Sequence, residues 1–131
     1  MKSQEILQTL RPKTILFQAT RGLEYLHSHG YVHRNVKPSS FLIKEVITPK
    51  KGCSQYVIKI ADFRLSRNAL YGGELSGTVA SNEWGAPESR RHGQTLKSSL
   101  DVFILGCFYY FVIVADERRE KDTDKTNDTF H

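Results

Sequence analysis

The stretch HRNVKPSSFLIK, residues 33–44, gathers an imidazole, a guanidinium, an amide and an ammonium group within its first five residues. A basic pair, His33 and Arg34, precedes Asn35; Lys37-Pro38 follows, and then an apolar run that opens a strand. Pro38 restricts Lys37 to extended angles, and the two serines behind it favour turns, so these residues belong to a loop. An amide at the centre accepts a hydrogen bond but cannot act as a base near pH 7. The blander alternative, that Asn35 caps a turn, leads to the same absence of base chemistry. A second polar group, ADFR at 61–64, sets the Asp62 carboxylate two residues before an arginine.

These residues need elements to hold them. From Lys13 to His29, Leu16, Ala19, Leu23 and Leu26 recur at helical spacing, with Pro12 suited to the first turn and Gly30 to the stop. A shorter helical turn is expected before it, at Glu5 to Leu10. FLIKEV and QYVIKIAD predict two strands joined by the turn-rich ITPKKGCS. Residues 64–77 lack periodicity and read as an exposed loop. SSLD then starts a helix, with Ser98 as N-cap and Asp101 three residues on, a variant of the capping box. The run VFILGCFYYFVIVA, residues 102–115, is apolar nearly all round; it is too short for a bilayer and predicts a helix buried on every side. The charged stretch 115–131 predicts a disordered tail.

A chain of 131 residues fits one domain, and 39% hydrophobic with 25% charged residues is compatible with a globular core. The net charge of +5 concentrates in residues 1–60, where ten Lys/Arg face three acids. A solvated helix face explains that bias, and attraction to nucleic acid or phosphate is the alternative. Cys53 and Cys107 form no metal-ligand spacing and no disulfide framework, and Cys107 reads as inert packing. MKSQEILQTLRPK lacks the apolar stretch of a signal peptide, so a cytoplasmic location is expected, with no membrane in this segment.

In order, the elements are helix, loop, two strands, long loop, Ala-Pro-Glu and apolar helix. With HRNVKP, ADFR, APE and DVFILGC at their spacings, they resemble the C-terminal lobe of a eukaryotic protein kinase. LEYLHSHGYVHR, Trp84 before GAPE, and DVFILGCFYYFVI resemble one branch more narrowly: the unfolded-protein-response sensor kinases fused to a ribonuclease domain, and the 2-5A-dependent ribonuclease. The likeness covers about residues 13 to 114. It implies an α+β, protein-kinase-like fold comprising only the mostly helical C-terminal lobe. The expected division is a partial kinase domain at 1–114 and a tail at 115–131. Gly-rich and lysine motifs of an N-terminal lobe do not precede residue 13, nor do later lobe helices follow, so a fragment is expected.

The resemblance implies roles residue by residue. Asn35 stands where the family has the aspartate that takes the substrate proton, so phosphoryl transfer is expected to be impaired. Lys37 matches the lysine that neutralises the transferring phosphate, or is a solvated loop lysine. Ser40 stands in for the asparagine that holds a second metal, and Asp62 matches the principal Mg²⁺ carboxylate. Leu42 is expected under an adenine ring, or in the core. Phe63 fits a buried aromatic directed at His33. Arg64 replaces a glycine, stiffening the turn or pairing with Asp62 or a phosphate. Ser81 falls at the activation-segment position, and Glu88 at that of an acid paired with a later arginine. Asp101 matches the aspartate whose carboxylate holds the catalytic-loop backbone, a structural role shared with His33. ATP and Mg²⁺ are the implied cofactors, both weakly held. The implied partners are a protein substrate or a kinase-domain dimer partner, with RNA reached only through a ribonuclease domain. The expected function is therefore an impaired protein Ser/Thr kinase homologue with a nucleotide-sensing role. The alternatives are a slow active kinase and a non-catalytic protein or RNA interaction module.

Overall fold

A computed structural model describes residues 10–47, 54–69, 85–87 and 97–128. Ser81, Trp84, Glu88, Cys53 and most of the expected turn at 5–10 lie outside these residues.

Helix α1 runs Pro12–Ser28. Proline at its first position gives up only an N–H that no turn would use, and the Arg11 carbonyl accepts from Thr14 and Ile15. Ile15, Ala19 and Leu23 are the buried stripe, each four residues from the next. Leu16 and Leu26, expected at its centre, sit at its edges. The chain leaves through Gly30 at φ 78°, a left-handed angle that glycine adopts without a Cβ clash, and the Gly30 N–H closes on His27 O.

Strand β1, Tyr31–Val32, follows at once, and the catalytic-type loop ends in a 3₁₀ turn at Pro38–Ser40. Strands β2 (Phe41–Ile47) and β3 (Ser54–Ile60) pair antiparallel, from Phe41 opposite Ile60 to Ile47 opposite Ser54. Their alternation turns Phe41, Ile43, Ile58 and Ile60 toward the core. Gln18 of α1 accepts from the Ile58 N–H at 2.6 Å, satisfying a strand donor from the helix side. After a second 3₁₀ turn at Phe63–Leu65, strand β4 (Arg67–Asn68) pairs with β1, Val32 opposite Arg67. This corrects the expectation of unbroken loop at both places. A two-residue ladder carries no hydrophobic period, so only its partner reveals it.

Helix α2 runs Ser99–Asp128. Leu100 is buried, Ile104, Leu105 and Phe108 join the core formed by α1 and the hairpin, and the Phe108 ring stacks on Phe41 with centroids 4.4 Å apart. Thr20 and Tyr109 join the two helices through their hydroxyls. Each large apolar side chain buried along this seam contributes about 1.5–3 kcal/mol.

Two expectations for α2 are corrected. The helix is not buried on every side: Val102, Phe103, Tyr110 and Ile113 are exposed. One face packs while the other borders an open groove of about 1270 Å³ between the helix and Gly85 and Pro87. Cys107 lines that groove, half-buried, instead of packing in the core. Second, the chain does not unravel at Ala115 but stays helical to Asp128. No proline or glycine interrupts 107–128, and Arg119 pairs with Asp116 one turn away, so continuing the helix costs little. Because of this extension, Ser99–Lys121 is long and apolar enough to cross a membrane by length and composition alone. Its Leu100–Phe108 face serves the core, and Asp101 on the same helix serves the loop below.

Candidate active site

Asp101 organises the loop from beneath. Its side chain is fully buried; one oxygen accepts from His33 N at 2.7 Å and the other from Arg34 N at 2.9 Å. His27 Nε2 reaches the first oxygen at 2.8 Å from the last turn of α1. A carboxylate with three donors is adequately compensated for its burial. Asp101 thus spends its oxygens on the loop and not on its own helix start, which sets aside the capping-box reading.

His33 is fully buried as well. Its Nδ1 accepts from the Asn35 N–H at 3.2 Å, so the proton lies on Nε2, which donates to the Ala61 carbonyl at 2.8 Å. The imidazole therefore ties the loop to the strand end that carries Asp62. Phe63 meets His33 edge-on with ring centroids 5.4 Å apart. It does so from a half-exposed position, 49% accessible, and the expectation of a buried aromatic is corrected. The three-residue turn lifts the ring to the rim of the site.

Arg34 takes φ 68°, an angle costly for a side chain with a Cβ. The two bonds from Asp101 and His33 on either side hold it there. Its guanidinium is buried with Nε lacking a partner among the described residues. Burial, then the nearby charge of Arg67, push its pKa below the ordinary arginine value.

At the centre, Asn35 is buried and its carbonyl accepts from Ser40 Oγ at 2.8 Å. Its Nδ2 donates to Asp62 Oδ2 at 3.1 Å. An ionised carboxylate only accepts, so the NH₂ end must face it. Asp62 also sits at positive φ, 64°, a region aspartate tolerates better than most residues. Arg64 closes on both of its oxygens, Nε to Oδ1 at 2.7 Å and Nη2 to Oδ2 at 3.2 Å. The Arg64 contact, followed by the charge of Lys37, holds Asp62 below the usual carboxylate range, and the same pairing raises Arg64. Of the two fates open to Arg64 in the sequence, pairing with Asp62 is the one seen.

Lys37 is half-buried and extended just before the 3₁₀ turn. Leu42 is 55% exposed on the outward face of the hairpin opposite Lys59, which excludes a core role and leaves an apolar platform. The structure thus gathers His33, Arg34, Asn35, Ser40, Asp62, Phe63, Arg64 and Asp101 into one constellation. His27 escaped the sequence reading. A histidine at the end of an amphipathic helix carries no signal until Asp101, 74 residues later, is placed beside it.

In phosphoryl-transfer sites Mg²⁺ keeps several waters and is held through one or two carboxylates together with the substrate's phosphates. Both Asp62 oxygens are engaged by Arg64, and one also by Asn35. The Ser40 hydroxyl is fully buried and turned to the Asn35 carbonyl. Among the described residues no group of three or more His, Cys, Asp or Glu side chains converges. Arg64 thus stands against the Asp62 carboxylate where a cation would approach it.

Comparison with known proteins bears on the whole arrangement. Residues 1–130 match the model of the protein kinase domain. The sporulation protein kinase mde3 of Schizosaccharomyces pombe is 35% identical over 96 residues, 73% of this chain and 17% of its own length. The mitogen-activated protein kinase hog1 of Botryotinia fuckeliana is 36% identical over 94 residues, 72% of this chain and 23% of its own. The chain therefore spans about a fifth of the curated relatives it matches. These likenesses are to protein kinases in general, at the level of the kinase domain.

Proposed function

Because the chain belongs to the protein kinase domain family, we propose that it is the core of a catalytically impaired protein Ser/Thr kinase homologue acting as a nucleotide-sensing, regulatory unit. The observation that carries this reading is the orientation of Asn35. Its NH₂ faces Asp62 at the position where the family has a proton acceptor. A phosphoryl-transfer site works by positioning and charge neutralisation, with the aspartate orienting and deprotonating the attacking hydroxyl. An amide in that place leaves about 10²–10⁴-fold of general-base assistance unavailable.

Everything that shapes the loop is nevertheless retained. Asp101 and His33 hold the backbone, Lys37 offers a cation to a phosphate, and Leu42 offers an apolar surface to an adenine. A loop kept in shape without its base suits a protein that responds to nucleotide occupancy, through a kinase-domain dimer partner in the cytoplasm. The ribonuclease-linked sensor kinases that the sequence resembles supply the precedent for such a role. The second reading, a slow but active kinase, is favoured by the retention of Lys37 and Asp62 together.

Phosphate transfer by the full-length protein to a generic protein substrate separates the two. The impaired reading expects turnover far below the roughly 1–100 s⁻¹ of ordinary kinases, rising when Asn35→Asp and Arg64→Gly are combined. Ordinary turnover by the natural sequence would sink it.

A further inference from the structure

We propose that this site binds the phosphate groups of a nucleotide without a divalent cation, the Arg64 guanidinium standing in the metal's place. The inference rests on the nucleotide-sensing reading above and deepens it.

The charge balance points there first. In the pattern this chain resembles, two carboxylates and one lysine leave the site at −1, and a divalent ion makes it receptive to phosphate. Here Asp62, Lys37 and Arg64 leave it at +1. Asn35 removes one negative charge and Arg64 adds one positive charge. Together the two departures supply two positive charges, the charge of one divalent ion. Either alone would leave the site half compensated.

Geometry points the same way. A bridging metal touches the carboxylate on one side and phosphate oxygens on the other. Arg64 already makes the first contact in forked geometry through Nε and Nη2. A guanidinium has five N–H donors, and two are used on Asp62. The remaining three lie on a side chain that is 83% accessible. Guanidinium matches phosphate oxygens in planar, paired fashion, so one arginine can join carboxylate to phosphate as a metal would. Lys37 is close enough for its charge to act on Asp62, a second cation near the carboxylate. A divalent ion would have to compete for the Asp62 carboxylate with the contacts from Arg64 and Asn35.

The test uses the full chain with ATP as probe, titrated calorimetrically in EDTA and in Mg²⁺. The expected result is a Kd equal in the two buffers within about twofold. Arg64→Gln should weaken binding in EDTA by roughly tenfold or more, as loss of a charged hydrogen-bonding group does. Binding that requires Mg²⁺ in the natural chain overturns this inference and leaves the nucleotide-sensing reading standing. No ATP binding in either buffer overturns both. Because the Arg64 side chain is largely exposed, the variant should keep its fold, which circular dichroism verifies. A second measurement stands apart from nucleotide. Mn²⁺ alone should produce no relaxation enhancement near Asp62 in the natural chain, and a clear one in Arg64→Gly. Mn²⁺ held at Asp62 by the natural chain overturns the proposal.

Discussion

Asn35 Nδ2 donates to Asp62 Oδ2 across 3.1 Å, so the loop at 33–40 and the segment that carries Asp62 are joined by a hydrogen bond that two ionised carboxylates could not make. Restoring the family residue at 35 would therefore not be neutral in isolation. Asn35→Asp replaces a donor with an acceptor at a buried position and sets like charges in contact.

The expected outcome is a destabilisation of roughly 1–3 kcal/mol at pH 7, the cost of losing a buried hydrogen bond to a charged group. Repulsion raises the pKa of one carboxylate of the new pair above its unfolded value. The loss should therefore shrink as the pH falls and that carboxyl takes up a proton. Denaturant melts in EDTA at pH 7 and pH 5 check this. Equal stability of natural chain and variant at pH 7 would show that the contact carries no energetic coupling.

Asp101 offers the opposite kind of test. Asp101→Ala strips the acceptor from three donors at once, His33 N, Arg34 N and His27 Nε2. Each buried donor left unmatched costs about 1–3 kcal/mol, and the three are not additive because they share one side chain. A loss of about 3 kcal/mol or more is expected, together with release of Arg34 from its positive φ. His27→Ala should cost about 1 kcal/mol alone and almost nothing in the Asp101→Ala background. Independent, additive losses in the double variant would show that His27 does not act through Asp101.

How much of this was legible in the chain depends on the range of the interaction. Helix α1 and the β2–β3 hairpin were legible because periodicity, Pro12 and Gly30 are local signals. The pairing of β1 with β4 was not, since two residues on each side hold no pattern. Asp101 over the His33–Arg34 backbone was legible only through resemblance, and His27 not at all, because neither contact has a sequence signature. The exposed face of α2 misled for a different reason. An apolar helix reads the same whether one side or every side is covered.

Asp62 gives a pH prediction. The Arg64 contact lowers its pKa in the folded chain. A depressed carboxylate contributes stability that is present above its unfolded value, about pH 4, and lost as pH falls through the lower folded value. The Asp62 carboxyl carbon should thus titrate below the ordinary aspartate range by NMR. In Arg64→Gln its midpoint should move upward. An unmoved midpoint in the variant would mean that Arg64 does not govern the charge of Asp62.

The two faces of α2 allow a last, internally controlled prediction. Phe108 is buried and stacked on Phe41, while Tyr110, two residues on, is 72% exposed on the groove side. Phe108→Ala should cost about 3–5 kcal/mol, a transfer term plus the cavity left beside Phe41. Tyr110→Ala should cost under about 0.5 kcal/mol, as substitutions away from packed sites do. The same asymmetry should invert in solution behaviour. Exposed apolar surface of this extent promotes association, so Phe103→Glu with Tyr110→Lys should reduce the sedimenting mass while leaving the helical signal unchanged. Phe108→Ala should instead increase association by loosening the core. If Tyr110→Ala proved as destabilising as Phe108→Ala, the groove face of α2 would have to be packed in solution, and the one-sided burial described for this helix would be wrong.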